Sequence, residues 1–223
     1  TNYRPQVSVF DPSQPRQTLD EHWQPLIGQK ALTPHWGNVQ SFAGDISLLP
    51  TSVLKPYDAN QQIDERFIDQ VNGVLLSSMN LTPEQKAIAE YWEQGNGTTY
   101  PPGKWVELSL DQLNAENDTL GYAVQKMFTI SQVVHSAAVL AWDTKYTWDT
   151  VRPLTAIRQY YYGHNKLDDG MTPLTDWKEI QINGQDWMPY LNTPGFPEFV
   201  SGHSTFSAAA GFALTRLRGS NLS

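Results

Sequence analysis

The sequence contains no cysteine, which excludes a disulfide framework, thiolate catalysis and any cysteine-ligated metal. It leaves the compartment open. No apolar run approaches the roughly 18 residues of a membrane span. The nearest stretch, Ser131 to Trp142, is short and interrupted by His135, so no membrane partner is expected. Positive charge is also scarce: 15 Lys and Arg face 23 Asp and Glu, for a net charge of −8. That balance argues against nucleic acid and against a polybasic membrane surface. There is no His-Glu-x-x-His and no His–carboxylate set with divalent-metal spacing. Internal repeats and low-complexity tracts are absent too. No signal peptide is visible, and the first residue is Thr1 rather than Met, so the start is expected to be processed or trimmed. Asn-x-Ser/Thr sequons at Asn80, Asn96, Asn117 and Asn221 are short enough to arise by chance and receive no function.

What remains is a 223-residue chain long enough for a packed core, with strong helical patterning. The expected fold is all-α, a helical bundle over 58–223 with a long irregular N-terminal wrap over 1–57. In that wrap, Leu26-Ile27-Gly28, Trp36 and Phe42 are the expected anchors. Asp58-Ala59-Asn60 is read as the cap of a helix to about Met79, with Ile63, Phe67, Val71, Val74 and Leu75 at helical spacing. Thr82-Pro83-Glu84-Gln85 carries a capping signature, with Thr82 as N-cap and a helix to about Gln94. Gly95-Asn96-Gly97 should end it, and Tyr100-Pro101-Pro102-Gly103 should extend the loop, before a short helix over Leu110–Asn114. A long helix from Asp118 to about Trp148 is apolar on most sides, through Val124, Met127, Phe128, Val133, Val134, Ala137, Ala138 and Leu140. Such a helix belongs in the centre of a bundle. Further helices are expected over Leu154–Tyr162 and from His203 to about Leu217, with a loop region over 163–200.

The chemistry concentrates at the end of the long helix, in Trp142-Asp143-Thr144-Lys145-Tyr146-Thr147-Trp148-Asp149-Thr150-Val151-Arg152-Pro153. Lys145 and Arg152 are seven residues apart. At about 100° per residue that spacing places both cations on one helix face. Pro153 discourages helical geometry at Arg152. An ammonium and a forked guanidinium suit a phosphate-like anion. The ordinary alternative is a solvated face with Lys145 paired to Asp149. It is weakened because the helix is apolar, and a buried cation needs an anion.

The second dense stretch is Phe196-Pro197-Glu198-Phe199-Val200-Ser201-Gly202-His203. Ser201 Oγ and the Gly202 N–H are candidate donors to oxyanions at a helix N-terminus. His203 is a candidate for proton exchange near neutral pH. Taken alone, the tripeptide reads more simply as an ordinary N-cap. His135 is read as a hydrogen-bonded core residue, and His22, His35 and His164 as loop residues without chemistry. The expectation is that the two stretches fold together into one oxyanion pocket.

Taken together, Lys, six intervening residues, Arg-Pro and a later Ser-Gly-His resemble the signature shared by vanadium-dependent haloperoxidases and type 2 phosphatidic acid phosphatases. The resemblance implies that Lys145, Arg152, Ser201, Gly202 and His203 contact bound vanadate or phosphate. It gives Lys145, Arg152 and His203 catalytic roles. Trp142 resembles the tryptophan, and Phe196 the phenylalanine, that line the halide side of a chloroperoxidase pocket. The wording Ala-Trp-Asp-Thr-Lys-Tyr, Arg-Pro-Leu-Thr-Ala-Ile-Arg and Leu32-Thr33-Pro34-His35-Trp36-Gly37 is similar to that of bacterial haloperoxidase-like proteins. Two departures stand out. Val200 replaces the family's proline before Ser-Gly-His. The third block, which supplies a second Arg and the axial His ligand of vanadium, is missing. Only twenty residues follow His203 (223 − 203), none of them His, and Arg216 and Arg218 do not match that block.

The resemblance therefore implies a vanadate-dependent haloperoxidase-like enzyme, oxidising halide with hydrogen peroxide. Vanadate is the cofactor, and phosphate is able to occupy the same site. The alternatives are a soluble acid phosphatase acting on phosphate esters, and a noncatalytic helical scaffold or binding subunit. The chain is expected to be the N-terminal part of a longer catalytic domain, with little activity alone. Expected partners are hydrogen peroxide, halide and an organic acceptor or phosphate ester, with a second chain or C-terminal fragment completing the site. Homo-oligomerisation stays open, as does location in a secreted or periplasmic compartment.

Overall fold

The structure is a computed structural model and describes residues 19–46, 50–116, 119–161 and 184–218. His164 and most of the expected 163–200 loop lie outside them, as does much of the N-terminal segment. Among the described residues there are six α-helices and no strand: α1 (Glu65–Met79), α2 (Pro83–Glu93), α3 (Tyr100–Glu116), α4 (Leu120–Trp148), α5 (Pro153–Tyr160) and α6 (Gly202–Leu217). The chain clusters into two compact units. One is drawn from Thr1–Leu32, Ser52–Lys86 and Trp148–Glu198, the other from Thr33–Thr51, Ala87–Thr147 and Phe199–Ser223.

In the first unit, α1 begins at Asp64, whose side chain accepts from the Arg66 N–H. The cap is therefore not Asp58. Asp58 instead closes a tight loop, its Oδ1 accepting from the Asn60 and Gln62 N–H groups. Aspartate satisfies turn and cap equally well, so the two were indistinguishable by residue type. Val71 and Leu75 of α1 pack with Val151, Leu154, Ala156, Ile157, Tyr161 and Trp187. The Trp187 indole N–H donates to Ser78 Oγ at 3.2 Å. Leu26 packs against this core. Ile27, expected as an anchor, is 81% exposed; the buried anchors in this stretch are Leu19 and Trp23.

In the second unit, Ile130 and Val134 of α4 cluster with Ala210 and Ala213 of α6, flanked by Trp105 and Val106 of α3. Ala137, Ala138 and Phe206 continue the packing. The α3 helix corrects two expectations. It is 17 residues long rather than a short helix over Leu110–Asn114, and Tyr100, Pro101 and Pro102 open it instead of extending a loop. Proline is accepted there because the first N–H groups of a helix have no intrahelical partner to lose. In α4, Val134 and Ala137 are buried as expected, and Val133 and Leu140 are half-buried. Val124 and Phe128 are 60% and 63% exposed, so the early turns of α4 are not enclosed.

Residues 33–46 are irregular apart from a 3₁₀ turn at Trp36–Asn38. Trp36 and Phe42 reach α4 by holding the His135 ring, with centroids at 5.9 and 4.9 Å. Ser41 and Ser136 share a hydroxyl hydrogen bond at 2.9 Å. Gly37 lies directly against the α4 backbone: a Cβ there would stand 2.6 Å from Asp143 Cα. Gly37→Ala is therefore expected to destabilise the protein by about 1–3 kcal/mol, since the obstructing atoms are main chain and cannot rotate away. Thermal denaturation measures this, and an unchanged midpoint would contradict the contact.

Candidate functional site

The chain between α4 and α5 overturns the shared-face argument. The α4 helix ends at Trp148, and Asp149 takes a left-handed φ of 49°. Arg152 is the N-cap of α5, with φ −87° and ψ 153°. Pro153 at the next position excludes helical geometry at Arg152, so the seven-residue spacing never acts as two helical turns.

Arg152 belongs to the first unit and sits in a pocket of main-chain oxygen. Its Nη1 donates to Phe196 O at 3.0 Å and Pro197 O at 3.3 Å. The Glu198 carboxylate lies 3.7 Å away, and the guanidinium carbon stands 5.1 Å from the Phe196 ring centroid. Phe196 thus walls Arg152 itself. Burial pushes the guanidinium pKa down from its ordinary value, and Glu198 opposes that shift. Arg152 Nε is buried and has no hydrogen-bond partner among the described residues. A guanidinium with one side committed to carbonyls and a buried N–H unused matches an incoming oxyanion.

The other motif residues belong to the second unit. Lys145 is fully buried in the last turn of α4. The negative end of the helix favours a cation there. Trp142 is half-buried and packs its ring against Phe206, with centroids 6.4 Å apart. It also closes over Gly202, where an added Cβ would stand 3.8 Å from the Trp142 ring. Ser201 is the N-cap of α6. Its Oγ accepts from the Ser204 N–H at 3.2 Å, which leaves the hydroxyl proton able to donate. His203 is exposed, and its Nε2 lies 2.9 Å from Trp92 O and 3.1 Å from Glu93 O. Carbonyls only accept, so Nε2 carries a proton and Nδ1 is the nitrogen left for other chemistry.

Three findings were not legible in the sequence. Glu198 is an acidic neighbour of Arg152, joined to it only through the fold. His22, read as a loop residue, faces Asp149 at 3.6 Å. The Nδ1 of His135, expected to be hydrogen-bonded, is buried without a partner among the described residues, because aromatic rings hold the imidazole instead. A cavity of about 360 Å³ in the second unit is lined by Gly37, Ser41, Val139, Leu140 and Asp143 among others. Asp143 is the neighbour of Trp142 in the α4 stretch, but none of Trp142, Lys145, Arg152, Phe196, Ser201, Gly202 and His203 lines the cavity. Among the described residues no cluster of His, Asp and Glu is arranged to hold a metal ion. No helix there is long and apolar enough to cross a membrane.

The comparisons with known proteins agree with the all-α fold. Residues 125–223 match a family model described as the VCPO second helical-bundle domain. That segment contains Trp142, Lys145, Arg152, Phe196 and the Ser201-Gly202-His203 tripeptide. The chain has the fold of solved vanadium haloperoxidases. One is described as the first bacterial vanadium-dependent iodoperoxidase, with TM-score 0.68 and 23% identity over 92% of this chain and 47% of that chain. Another is an apo-type bacterial vanadium-dependent chloroperoxidase, with TM-score 0.71 and 23% identity over 99% of this chain and 50% of that chain. A holo-type bacterial vanadium-dependent chloroperoxidase gives TM-score 0.71 and 22% identity over 99% and 49%. The chain therefore spans about half the length of these neighbours. A comparison with curated proteins finds no match.

Proposed function

We propose that Lys145, Arg152, Ser201 and Gly202 hold one oxyanion in a vanadate-dependent haloperoxidase that oxidises halide with hydrogen peroxide. The observation that carries the reading is the buried Arg152 Nε with no partner among the described residues. Vanadate, when bound, would supply Lewis-acid activation of hydrogen peroxide. The chain's own residues bind and balance charge. Arg152 offers a fixed N–H and Lys145 a buried positive charge. Gly202, the first residue of α6, offers an N–H with no intrahelical acceptor. The Ser201 hydroxyl donates. His203 moves a proton through Nδ1. Trp142 and Phe196 supply apolar walls suited to a weakly hydrated halide, which favours this reading over a phosphatase using the same donors. These residues would hold the oxyanion through charge and hydrogen bonds, and His203 Nε2 is not among the donors, since it is directed at α2 carbonyls.

The test is bromination of a dye by peroxide, with and without vanadate, beside a phosphate-ester assay. It is run on this chain and on the polypeptide of the full reading frame. Little or no halide oxidation is expected from the chain alone, with vanadate-dependent turnover from the full polypeptide. Phosphate-ester hydrolysis without bromination in the full polypeptide would replace this reading with the phosphatase. Robust vanadate-dependent bromination by the chain alone would show that the set of donors is wrongly drawn.

A further inference from the structure

The linker from α4 to α5 is the middle member of a short ladder within the first unit. On one side, Trp23 N donates to Asp149 O at 2.9 Å and Val151 N donates to Glu21 O at 3.0 Å. Thr150 forms an antiparallel bridge with His22. On the other side, Glu198 N donates to Thr150 O at 3.1 Å. Arg152 follows this ladder directly, and its guanidinium reaches back to Phe196 and Pro197, the residues just before Glu198. Any slip of the linker relative to residues 21–23 or 198 would move the guanidinium.

Asp149 opens the ladder. Its left-handed φ of 49° breaks α4. Glycine takes that conformation without cost and asparagine takes it readily. A turn alone therefore does not require a carboxylate. Yet the Asp149 side chain is only 1% exposed, and burying a carboxylate costs free energy unless something faces it. What faces its Oδ2 is His22 Nδ1, at 3.6 Å. That nitrogen is buried and has no hydrogen-bond partner among the described residues.

We infer that Asp149, braced by His22, is a positioning residue that holds the linker in register and so fixes where the Arg152 guanidinium stands. This rests on the reading of Arg152 as an oxyanion donor.

The experiment follows the Arg152 Nε–H signal in nitrogen–proton NMR spectra of the 223-residue protein. Asp149→Asn and Asp149→Gly both keep the turn and remove the charge, and His22→Gln removes the brace. All three are expected to shift the Arg152 signal and to speed its exchange with water several-fold. Ile68→Ala, a core substitution in α1 outside the cluster that holds Val151, is the control for general loosening and should leave the signal in place. An unmoved Arg152 signal in the Asp149 variants, or an equal change in Ile68→Ala, overturns the inference. Inorganic phosphate is then titrated into each protein. A wild-type Arg152 signal that moves with phosphate, and moves less in Asp149→Asn, supports both the positioning and the oxyanion reading. A signal that depends on Asp149 but ignores phosphate supports the positioning and overturns the oxyanion reading.

Discussion

Replacing Arg152 with alanine is expected to weaken binding of inorganic phosphate or vanadate at least tenfold. A lost charge-assisted hydrogen bond costs about 1.5–3 kcal/mol, and about 1.4 kcal/mol is already a factor of ten. The loss is expected to be large because the guanidinium is prepaid. Its Nη1 is tied to Phe196 O and Pro197 O, and its ring contact with Phe196 holds the plane, so little ordering remains to be done when an anion arrives. Arg152→Lys should fall between wild type and alanine. It keeps a charge but loses Nε and the planar fork. Calorimetric titration with phosphate measures the affinity. In the polypeptide of the full reading frame, Arg152→Ala and Lys145→Ala should each reduce vanadate-dependent bromination by about 10²–10³, the scale of removing one preorganised donor to developing charge. Wild-type affinity in Arg152→Ala would remove the ground for the proposed function.

The largest effect on stability is expected at Ile157. Its side chain is 0% exposed and lies in the same cluster as Leu75, Val151 and Leu154. Ile157→Ala leaves a cavity in a core that cannot close around it, at a cost of about 2–5 kcal/mol. Val124→Ala on α4 removes a comparable aliphatic side chain but should change stability by no more than about 0.5 kcal/mol, because Val124 is 60% exposed. Urea denaturation followed by circular dichroism measures both. Similar losses for the two would contradict the burial assignment.

The contrast between Ile157 and Val124 shows where reading the sequence stopped. Both residues sit in apolar helical patterns, and the pattern alone made all of α4 a central helix. Which face meets a neighbour depends on where other helices lie, and that information is not carried within one helix. Tyr100-Pro101-Pro102 shows the same limit from another side. Proline marks a loop or a helix start with equal local logic, and the packing of Trp105 and Val106 against the Ile130 cluster extended the helix around it.

The sequence by itself determined the helix junctions whose signals are complete within a few residues. Thr82 and Gln85 form a reciprocal capping box, with bonds of 3.2 and 3.0 Å, and α2 starts where they place it. Pro153 sets the start of α5, and Ser201 caps α6. The motif wording at 142–153 and 196–203 lies within the segment that the family model matches, and with the helical patterning it was enough to reach the all-α fold. Only the tertiary structure decided that Arg152 leans on Phe196, that His203 spends Nε2 on the end of α2, and that His22 stands against Asp149. The reason is range. Capping and proline sterics act between residues a few positions apart, and their energies are present in any window that contains them. The contacts of Arg152, His203 and His22 join residues far apart along the chain. They exist only after hydrophobic burial has fixed the backbone that carries both partners.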